Sequence, residues 1–558
     1  MSKGQPNAHY LTTWVFWVAR YWIGLGLAWL CVIFGYWLGF PNKVAHFPLL
    51  ALCVPLGLAA LGIYASSTKK AFFHGWLAAF IGHVCALYWL YVPISQVGGL
   101  PLWGAVPCAL FVCLVLASQG AVFTLVARRF WVHQSILSGL AMALVWYFLE
   151  WGYALVAGFP WLPLSGALAV WPWTMQLADT LGATLVGSLW AGGLLVLVGG
   201  LFPVRLASIA AGILLFLALG LYGQTSYEFR ARVETIGPDQ AANAQPSPSD
   251  DPNAFPLLFV EGNIDQNQKW VEAFRVQTVE TYVSLTRGAL EIAREKSDAS
   301  PEALSAWLSK GLIVWPETAM PFDLSRAGHT RSLMALAVEA GMPLATGSPA
   351  QDLDNEGRLV VYNRLWLLNR NGLPAGTYDK EHLVPFGEYV PSFFRWKFLE
   401  GLLQEVGAYT EGTRTRPLTL GALSMGPLIC YEAVFPWLAN ERVNQGANVL
   451  IDVSNDGWFG DTAAPWQHLA LTGLRAIEQN RWLVRCTNTG ISAVFDNRGR
   501  LVFQGPQFTA EALWAEAKVV AEKSRFNQIF SMLPIVCAVL CAAILAFVRR
   551  KPEHASAQ

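Results

Sequence analysis

Apolar stretches long enough to cross a membrane fill the first part of this chain, and no other feature constrains its fold as strongly. A hydrocarbon layer about 30 Å thick is crossed by roughly 20 apolar residues in a helix. Such stretches lie near residues 18–40, 48–65, 73–93, 102–127, 136–156, 179–201, 205–223 and 527–548. The first is followed by further spans and by no small-residue cleavage site, so it does not read as a removable signal peptide. The sequence predicts seven membrane helices, a hydrophilic region and one closing helix.

Charged residues are distributed unevenly along the chain. Only 14% of all residues are charged and 54% are hydrophobic, whereas soluble proteins carry roughly 25% charged residues. Residues 10–222 hold very few of the charges, and residues 223–527 have the composition of an ordinary soluble protein. We therefore expect four regions: a membrane domain at 1–223, a linker at 224–256, a globular domain at 257–526 and a final helix with its tail at 527–558.

Positive charges in the short loops predict the orientation of the helices, because Lys and Arg favour the cytoplasmic side. They occur in the second, fourth and sixth loops and in the C-terminal tail, at Lys69, Lys70, Arg128, Arg129, Arg205, Arg549, Arg550 and Lys551. The third and fifth loops have none, and the first has only Lys43. Both termini are therefore expected in the cytoplasm, with the globular domain on the far side, in a periplasm-like space.

Several classes of partner and cofactor are not expected. The formal net charge is zero and the basic residues do not cluster, which argues against a nucleic-acid partner. Seven of the nine cysteines lie in apolar segments, and no Cys or His spacing typical of a metal site occurs. Only Cys430 and Cys486 fall in the globular region. A zinc site and a disulfide framework are therefore not predicted.

The globular region alternates between short β-branched runs and longer amphipathic segments, which predicts an α/β layered domain. The predicted strands are PLLFVEGN, GLIVWPE, PLATGSP, RLWLLNR, SMGPLICYE, ANVLIDVSN, WLVRCTNTG and ISAVFD. The predicted helices are 270–296, 327–341, 433–446 and 464–480. Functional sites in such folds gather at the carboxyl ends of the strands.

Three of the predicted strands deliver a chemically active residue: Glu317, Lys380 and Cys430. Each residue alone has an ordinary explanation, as a solvated loop residue or a core cysteine. Together they suit acyl transfer, because a cysteine thiolate is a nucleophile and a carboxylate with a raised pKa removes its proton. A lysine, together with the backbone N–H after the cysteine, stabilises the oxyanion that forms.

The sequence allows three other interpretations. A Cys–His pair would use Cys430 with His382 or His468, but neither histidine has an obvious Asn or Asp to orient it. A transporter would bury ionisable residues within its spans, whereas Glu150 and Asp179 lie near predicted helix ends. A membrane-tethered amidase or nitrile hydrolase would use the same three residues. Eight helices exceed what tethering requires, and this favours a lipid substrate.

Longer motifs give a family resemblance. The order WPE (315–317), KEHLVPFGE (380–388), CYE (430–432) and SNDGWF (454–459) resembles the apolipoprotein N-acyltransferase family, a membrane branch of the nitrilase superfamily. GNIDQNQKW, the pair YN and GFPW also match that family. The resemblance implies a multi-pass α-helical membrane domain with about eight transmembrane helices, joined to an α/β nitrilase-like αββα sandwich. It also implies a bacterial inner membrane.

The chemistry that the resemblance implies is a two-stage acyl transfer. Cys430 takes an acyl chain from a phospholipid as a thioester, and the N-terminal amine of a diacylglyceryl-cysteine on an apolipoprotein then accepts it. Glu317 would be the base and Lys380 would stabilise the tetrahedral intermediate. Supporting or substrate-binding roles fall on Glu388, Tyr431, Glu432, Asn363, Trp270 and Trp161. No metal or organic cofactor is implied, and a monomer is expected.

For each of two aromatic segments, the sequence allows two interpretations of its role. The uncharged loop at 157–173, which contains Trp161, fits either an interfacial aromatic belt or a lipid-facing vestibule below the catalytic domain. The segment 454–467 fits either a mobile loop that contacts lipid or a turn shaped by Asn455 and Asp456.

Overall fold

The structure is a computed structural model. It describes residues 8–96, 98–131, 135–201, 205–231, 251–269, 271–326, 328, 330–389, 409–413 and 416–550. The predicted site residue Trp270 and most of the predicted linker lie outside the described residues.

The N-terminal domain is helical throughout its described part. Its helices are α1 (Ala8–Gly39), α2 (Cys53–Tyr64), α3 (Thr68–Ala86), α4 (Tyr91–Gln96), α5 (Leu102–Leu116), α6 (Ser118–Phe130), α7 (Ile136–Val156), α8 (Leu164–Leu168), α9 (Ala178–Leu181), α10 (Ala183–Leu201) and α11 (Leu206–Ala231). Single 3₁₀ turns at Pro48–Leu52, Tyr88–Leu90 and Pro172–Met175 join some of them.

The predicted number of spans is confirmed only in part. Within the described residues, five helical segments are long and apolar enough to cross a membrane: Tyr21–Gly39, Leu102–Phe130, Ile136–Val156, Ala183–Leu201 and Leu206–Glu228. The segments Pro48–Tyr64 and Leu533–Val548 are apolar but shorter. The eight predicted spans therefore correspond to apolar helical segments, but the structure does not confirm that eight segments cross a membrane.

The span predicted at 73–93 is not one straight helix. The segments Thr68–Ala86 and Tyr88–Gln96 meet at an angle of 65°, and they count as a sixth span only if the bent pair crosses as one. Pro93 gives a physical reason for the break. In a continuous helix its ring would clash with the carbonyl of Trp89, and it has no N–H to donate.

Small residues let the membrane helices approach closely. A Cβ atom on Gly75 of α3 would lie 2.3 Å from the hydroxyl oxygen of Thr124 on α6. A Cβ atom on Gly120 of α6 would lie 2.5 Å from the Cβ of Ala79. Close contact between backbones is the usual source of packing energy where lipid surrounds the helices.

Within the residues that the structure describes, the second domain contains two six-stranded sheets. The strands are β1 (Ala254–Glu261), β2 (Leu312–Val314), β3 (Leu344–Leu353), β4 (Leu359–Leu368), β5 (Pro374–Asp379), β6 (Leu418–Leu420), β7 (Leu423–Ile429), β8 (Val449–Ser454), β9 (Leu483–Thr487), β10 (Ala493–Phe495), β11 (Leu501–Gln504) and β12 (Glu511–Lys518). The first sheet has the order β12-β1-β2-β3-β4-β5, and the second has the order β11-β10-β9-β8-β7-β6. Strands β1 to β3 are parallel to one another, as are β7 to β9.

Helices cover the outer face of each sheet. They are α12 (Gln266–Lys269), α13 (Arg275–Lys296), α14 (Pro301–Leu308), α15 (Thr330–Ala340), α16 (Pro436–Asn444) and α17 (Ala464–Gln479). The chain then returns to the membrane domain through α18 (Arg525–Ile529) and α19 (Leu533–Arg550).

Alternating side chains of β1 show the layers. Leu257 and Phe259 pack between the two sheets, whereas Leu258 and Val260 pack against α13, α14 and α15. On the other side, the outer face of the second sheet packs against α16 and α17. The layers therefore follow the order helix, sheet, sheet, helix, which confirms the predicted αββα sandwich.

One hydrophobic core continues from the second sheet into the membrane domain. Leu450 of β8 and Leu471 of α17 belong to the same buried cluster as Trp161, Leu164 and Ala183. The two domains are thus packed together, and α17 is the helix between the catalytic sheets and the membrane helices.

Candidate active site

Cys430 lies at a sharp turn between a strand and a helix. Strand β7 ends at Ile429, and Cys430 begins the 3₁₀ turn Cys430–Val434. Its φ is 55°, in the left-handed region that costs a residue with a side chain about 1–3 kcal/mol. This is the backbone geometry of a nucleophile elbow, which raises a nucleophilic side chain above the end of a sheet. Cys430 is 7% exposed.

Lys380 joins two carboxylates beside that turn. Its Nζ lies 3.3 Å from Glu317 Oε1 and 2.9 Å from Glu388 Oε1. All three side chains are at least 95% buried. The structure thus brings Glu317, which follows β2, and Lys380, which follows β5, into one ion-paired group.

Asn363 of β4 completes this group. Its Nδ2 donates to Glu317 Oε1 at 2.7 Å and to Glu388 Oε1 at 3.0 Å. The other oxygen of Glu388 accepts the backbone N–H of Val384 at 2.8 Å. We call Glu317, Asn363, Lys380 and Glu388 the site cluster. Its contacts fix the position of the lysine ammonium from several directions.

Electrostatics keep the lysine charged and the cysteine protonated. Burial opposes the charged form of Lys380, but Glu317 and Glu388 outweigh it and hold the lysine pKa well above its ordinary value. Burial raises the pKa of the Cys430 thiol well above its ordinary value, and the Glu317 charge raises it further, while Lys380 lowers it. Cys430 is therefore a thiol at neutral pH, and it needs a base before it can act as a nucleophile.

Glu432 supports the site from behind. Its carboxylate accepts the backbone N–H groups of Glu381 (2.7 Å), His382 (3.0 Å) and Ile429 (2.8 Å), and also the hydroxyl of Tyr378 (2.8 Å). It is fully buried. These bonds tie the segment after Lys380 to the end of β7, so Glu432 holds the lysine and the nucleophile in register.

Tyr431 and Trp161 form an aromatic wall next to the nucleophile. The Tyr431 hydroxyl donates to the backbone carbonyl of Gly158. The Tyr431 ring stacks on Trp161 at 6.2 Å and on Phe159 at 6.5 Å between ring centroids. Trp161 is buried, so it lines the contact between the two domains and does not stand in an exposed interfacial belt.

A cavity lies on the membrane side of this wall. Phe159, Trp161, Glu150, Trp437 and Leu471 are among the residues that line it. Its walls come from both domains. This position favours the vestibule interpretation of the loop at 157–173.

Comparisons with known proteins cover both domains. Residues 34–201 match the model of the apolipoprotein N-acyltransferase N-terminal domain, and residues 266–522 match the carbon-nitrogen hydrolase model. An apolipoprotein N-acyltransferase of Geobacter metallireducens is 32% identical over 492 residues, which cover 87% of this chain and 88% of the relative. That of Allorhizobium ampelinum is 32% identical over 460 residues, or 81% and 80% of the two chains.

The chain belongs to the apolipoprotein N-acyltransferase family. It is therefore an enzyme, an acyltransferase within the carbon-nitrogen hydrolase superfamily, and it carries membrane helices. The resemblance read from the sequence motifs is confirmed.

Sequence reasoning missed Lys269, a buried residue of this acyltransferase. Its Nζ donates to the backbone carbonyl of Glu317 at 3.3 Å and to the hydroxyl of Thr318 at 2.7 Å. Burial lowers its pKa to about 8, although Glu317 raises it. Thr318 has a φ of 46°, so Lys269 secures a strained turn that carries Glu317. Its place in the motif GNIDQNQKW was the available signal.

Gln467 of α17 was also missed, and it joins the catalytic domain to three segments of the membrane domain. Its Oε1 accepts the indole N–H groups of Trp161 (2.8 Å) and Trp89 (3.0 Å). Its Nε2 donates to the backbone carbonyls of Pro41 (2.9 Å) and Ala86 (3.1 Å). These four bonds use the full hydrogen-bonding capacity of the amide. A glutamine on an amphipathic helix gives no sign of this in the sequence.

Four further buried polar residues lie behind Cys430: Asp452, Asp456, His468 and Arg485. We call them the support cluster. Arg485 Nη2 lies 2.9 Å from both oxygens of Asp456, and its Nη1 pairs with Asp452. Burial opposes the Asp456 carboxylate, but Arg485 outweighs it and holds the Asp456 pKa well below its ordinary value.

The segment 454–467 is therefore anchored at its start. Asp456 is buried and bound to Arg485, and Asn455 Nδ2 donates to Gln266 Oε1 at 2.7 Å. These contacts favour the turn interpretation for Asn455 and Asp456. Residues 456–459 form a 3₁₀ turn, and α17 begins at Ala464.

The structure does not favour a Cys–His pair. His468 Nε2 lies 3.2 Å from the backbone oxygen of Cys430, so the contact is to the main chain. The ring of His382 packs on Phe435, with 4.1 Å between centroids. The expectation that His468 lacks an acidic neighbour was wrong, because Asp456 Oδ1 lies 3.2 Å from its Nδ1. The pattern could not show this contact, since the two residues are brought together only by the turn before α17.

Proposed function

We propose that this enzyme transfers a fatty acyl chain from a membrane phospholipid to the N-terminal amine of diacylglyceryl-cysteine on an apolipoprotein, through a thioester on Cys430. Membership of the acyltransferase family supports lipid and lipoprotein substrates. The observation that carries the mechanism is the site cluster, which places a carboxylate and an ammonium together beside a protonated cysteine at a strained elbow.

In the first stage Glu317 removes the thiol proton of Cys430, and the thiolate attacks the ester carbonyl of the phospholipid. A C–S bond forms, and the carbonyl oxygen becomes an oxyanion. Lys380 Nζ and the backbone N–H of Tyr431 stabilise that oxyanion. The intermediate collapses with cleavage of the ester C–O bond, and Glu317 returns the proton to the departing lysophospholipid oxygen.

In the second stage the amine of the acceptor attacks the thioester carbonyl. Glu317 takes a proton from the attacking nitrogen, the same two donors stabilise the second oxyanion, and the C–S bond breaks. The proton on Glu317 then returns to the Cys430 thiolate, so the enzyme regains its starting state. The thioester conserves the acyl-transfer energy between two substrates that need not be bound together.

Glu388 and Asn363 have positioning roles in this proposal. Together they give Lys380 Nζ one carboxylate contact and give Glu317 Oε1 one amide contact. Glu317 Oε2 has no hydrogen-bond partner among the described residues, which leaves it available for the proton. Trp270, whose placement the structure does not describe, stays a prediction from the sequence.

Loop charges support a periplasmic catalytic domain at about 257–526, on the far side of a bacterial inner membrane, with both termini in the cytoplasm. Lys69 and Lys70 lie in the first turn of α3, and Arg128 and Arg129 lie in the last turn of α6. A reporter enzyme that works only outside the cytoplasm should be active when fused after residue 240 and inactive when fused after residue 132. The reverse pattern would overturn this orientation.

Kinetics separate the transferase mechanism from the amidase alternative. With purified enzyme, a phospholipid donor and a synthetic diacylglyceryl-cysteine peptide, double-reciprocal plots should give parallel lines, as a two-stage reaction requires. Cys430→Ala should abolish transfer. Intersecting lines, or hydrolysis of small amides by an enzyme that transfers no acyl chain, would contradict the proposal.

A further inference from the structure

His468 makes a contact with the nucleophile that the reaction described so far does not use. The residue lies in α17 and is fully buried. Its Nε2 is 3.2 Å from the backbone carbonyl oxygen of Cys430. Its Nδ1 is 3.1 Å from Arg485 Nη2, which also binds Asp456.

These neighbours select one tautomer of the ring. A carbonyl oxygen only accepts hydrogen bonds, so Nε2 must carry the proton in order to bind Cys430. Nδ1 has two neighbours: Arg485 Nη2 at 3.1 Å, which only donates, and Asp456 Oδ1 at 3.2 Å, which only accepts. In a neutral ring whose proton is on Nε2, Nδ1 accepts from Arg485, and the Asp456 carboxylate is bound by Arg485. Burial, and then the Arg485 charge, lower the His468 pKa and outweigh Asp456 and the Cys430 carbonyl, which raise it, so the ring is neutral at physiological pH. His468 is therefore a neutral donor aimed at the Cys430 carbonyl, with its ring held from behind by Arg485.

That carbonyl belongs to the peptide unit that carries the Tyr431 N–H. The unit is planar, and in a trans peptide the C=O and the N–H point in opposite directions. A donor that holds the oxygen therefore also fixes the direction of the N–H. The constraint is needed here because Cys430 has a φ of 55°, a conformation that persists only when the surrounding structure enforces it.

We propose that His468 is a positioning residue: by holding the Cys430 carbonyl, it keeps the Tyr431 N–H directed at the oxyanion that forms in both stages of transfer. The inference rests on the proposed function, since it assumes a tetrahedral intermediate on Cys430. His468 exchanges no proton with the thiol in this role. Arg485 and Asp456 act one step further away, by orienting the ring.

Replacing His468 by glutamine or by asparagine tests its role as a hydrogen-bond donor, because both replacements carry the same amide group. The side-chain nitrogen of glutamine reaches about as far as Nε2 of histidine, whereas that of asparagine reaches only about as far as Nδ1. His468→Gln should therefore retain most of the rate of acyl-enzyme formation from phospholipid. His468→Asn should lose roughly 10²-fold or more, as when one oxyanion donor is removed. Equal rates in the two variants would overturn the proposal.

Alkylation by iodoacetamide separates positioning from other roles. That reaction uses the same thiolate but displaces iodide at a saturated carbon, so no oxyanion forms. Cys430 should therefore be alkylated at nearly the wild-type rate in both variants, while acylation falls in His468→Asn alone. A parallel loss of alkylation would mean that His468 activates the thiol or maintains the general structure, and would contradict the inference.

Two controls keep these outcomes distinct. Thermal melting in detergent shows whether each variant is folded. His468→Met, which fills the site without a donor, replaces the asparagine variant if that one is not folded, with the same expected loss of acylation. If wild-type enzyme forms no acyl-enzyme while Cys430 is alkylated normally, the proposed function fails, whatever the variants do.

Discussion

Two buried charged clusters flank Cys430, and they are built from the same chemistry. The site cluster sets the cation Lys380 between two carboxylates, and the support cluster does the same with Arg485. They differ in the hydrogen bonding of one carboxylate, which is Glu317 in the site cluster and Asp456 in the support cluster. Both oxygens of Asp456 accept from Arg485, whereas Glu317 Oε2 has no partner among the described residues. A carboxylate with both oxygens hydrogen-bonded stabilises the fold, whereas a carboxylate with an unbonded oxygen can accept a proton.

The clusters also differ in the cation. Arginine is planar, always charged and binds a carboxylate through two parallel bonds. Lysine is a compact point charge that can serve a transient oxyanion. We therefore expect substitutions in the site cluster to remove chemistry, and substitutions of the charged residues of the support cluster, Asp452, Asp456 and Arg485, to remove stability first.

The largest effect is expected for Lys380→Met. It removes the proposed oxyanion donor, which should slow acyl-enzyme formation by roughly 10³-fold. It also leaves two carboxylates buried without their cation, which should destabilise the fold by about 3–5 kcal/mol. Stopped reactions with labelled phospholipid and thermal melting measure the two effects. Lys523→Met is the matched control, because Lys523 is exposed and donates to Asn444, and it should change neither quantity.

Glu317→Gln is expected to separate chemistry from stability. The amide fills the same volume but cannot accept the thiol proton, so acyl-enzyme formation should fall roughly 10²-fold or more. Melting should change little, because the substitution relieves repulsion with Glu388 while it weakens one contact with Lys380. A variant that acylates at the wild-type rate would remove Glu317 from the role of base.

Asp456→Asn should give the opposite pattern. Removing one carboxylate from Arg485 leaves buried positive charge less compensated, at a cost of about 3 kcal/mol. The folded fraction should lose less acylation activity than Glu317→Gln does. A stable, inactive Asp456→Asn protein would break the comparison between the two clusters.

The pH dependence of that destabilisation follows from the Asp456 pKa. The folded-state pKa is depressed, so the carboxylate contributes stability above the unfolded pKa of about 3.9, and the contribution is lost as pH falls below it. The difference in melting temperature between wild type and Asp456→Asn should therefore be full near pH 7 and shrink below about pH 4. A difference that grows in acid would contradict this assignment.

The smallest effect is a shift in the reactivity of the thiol. Because the Glu317 charge raises the pKa of Cys430 and Lys380 lowers it, Glu317→Gln should move the iodoacetamide alkylation profile to lower pH. The variant would then alkylate faster than wild type at neutral pH while it acylates more slowly. An upward shift would show that Glu317 does not influence the thiol as described.

The predicted strands were found where apolar runs end in a polar residue. All eight correspond to strands of the structure, and β1 and β8 are buried throughout. The four edge strands β5, β6, β11 and β12 were not predicted, because they are partly exposed and mix polar with apolar residues. The segment PAGTYD of β5 contains Pro, Gly and Asp, which normally indicate a turn.

Within the site, the sequence predicted residues that stand in motifs and missed those that act through burial. Glu317, Lys380 and Cys430 each follow a strand and carry an obvious chemistry. The roles of Asp456 and His468, by contrast, depend on their contacts with Arg485 on β9. The three residues come from separate elements, and no spacing along the chain shows that they meet. The bend between α3 and α4 was missed because the apolar pattern continues through it.

The central claim is that the acyl chain rests on Cys430 between the two stages, and mass spectrometry tests it directly. Purified enzyme is incubated with a phospholipid of one defined acyl chain and no acceptor, and the intact protein and its peptides are then weighed. The account predicts one added acyl chain on the peptide that contains Cys430, released by neutral hydroxylamine and absent from Cys430→Ala. An acyl chain on another residue, or no adduct from an enzyme that still transfers to the acceptor peptide, would contradict it.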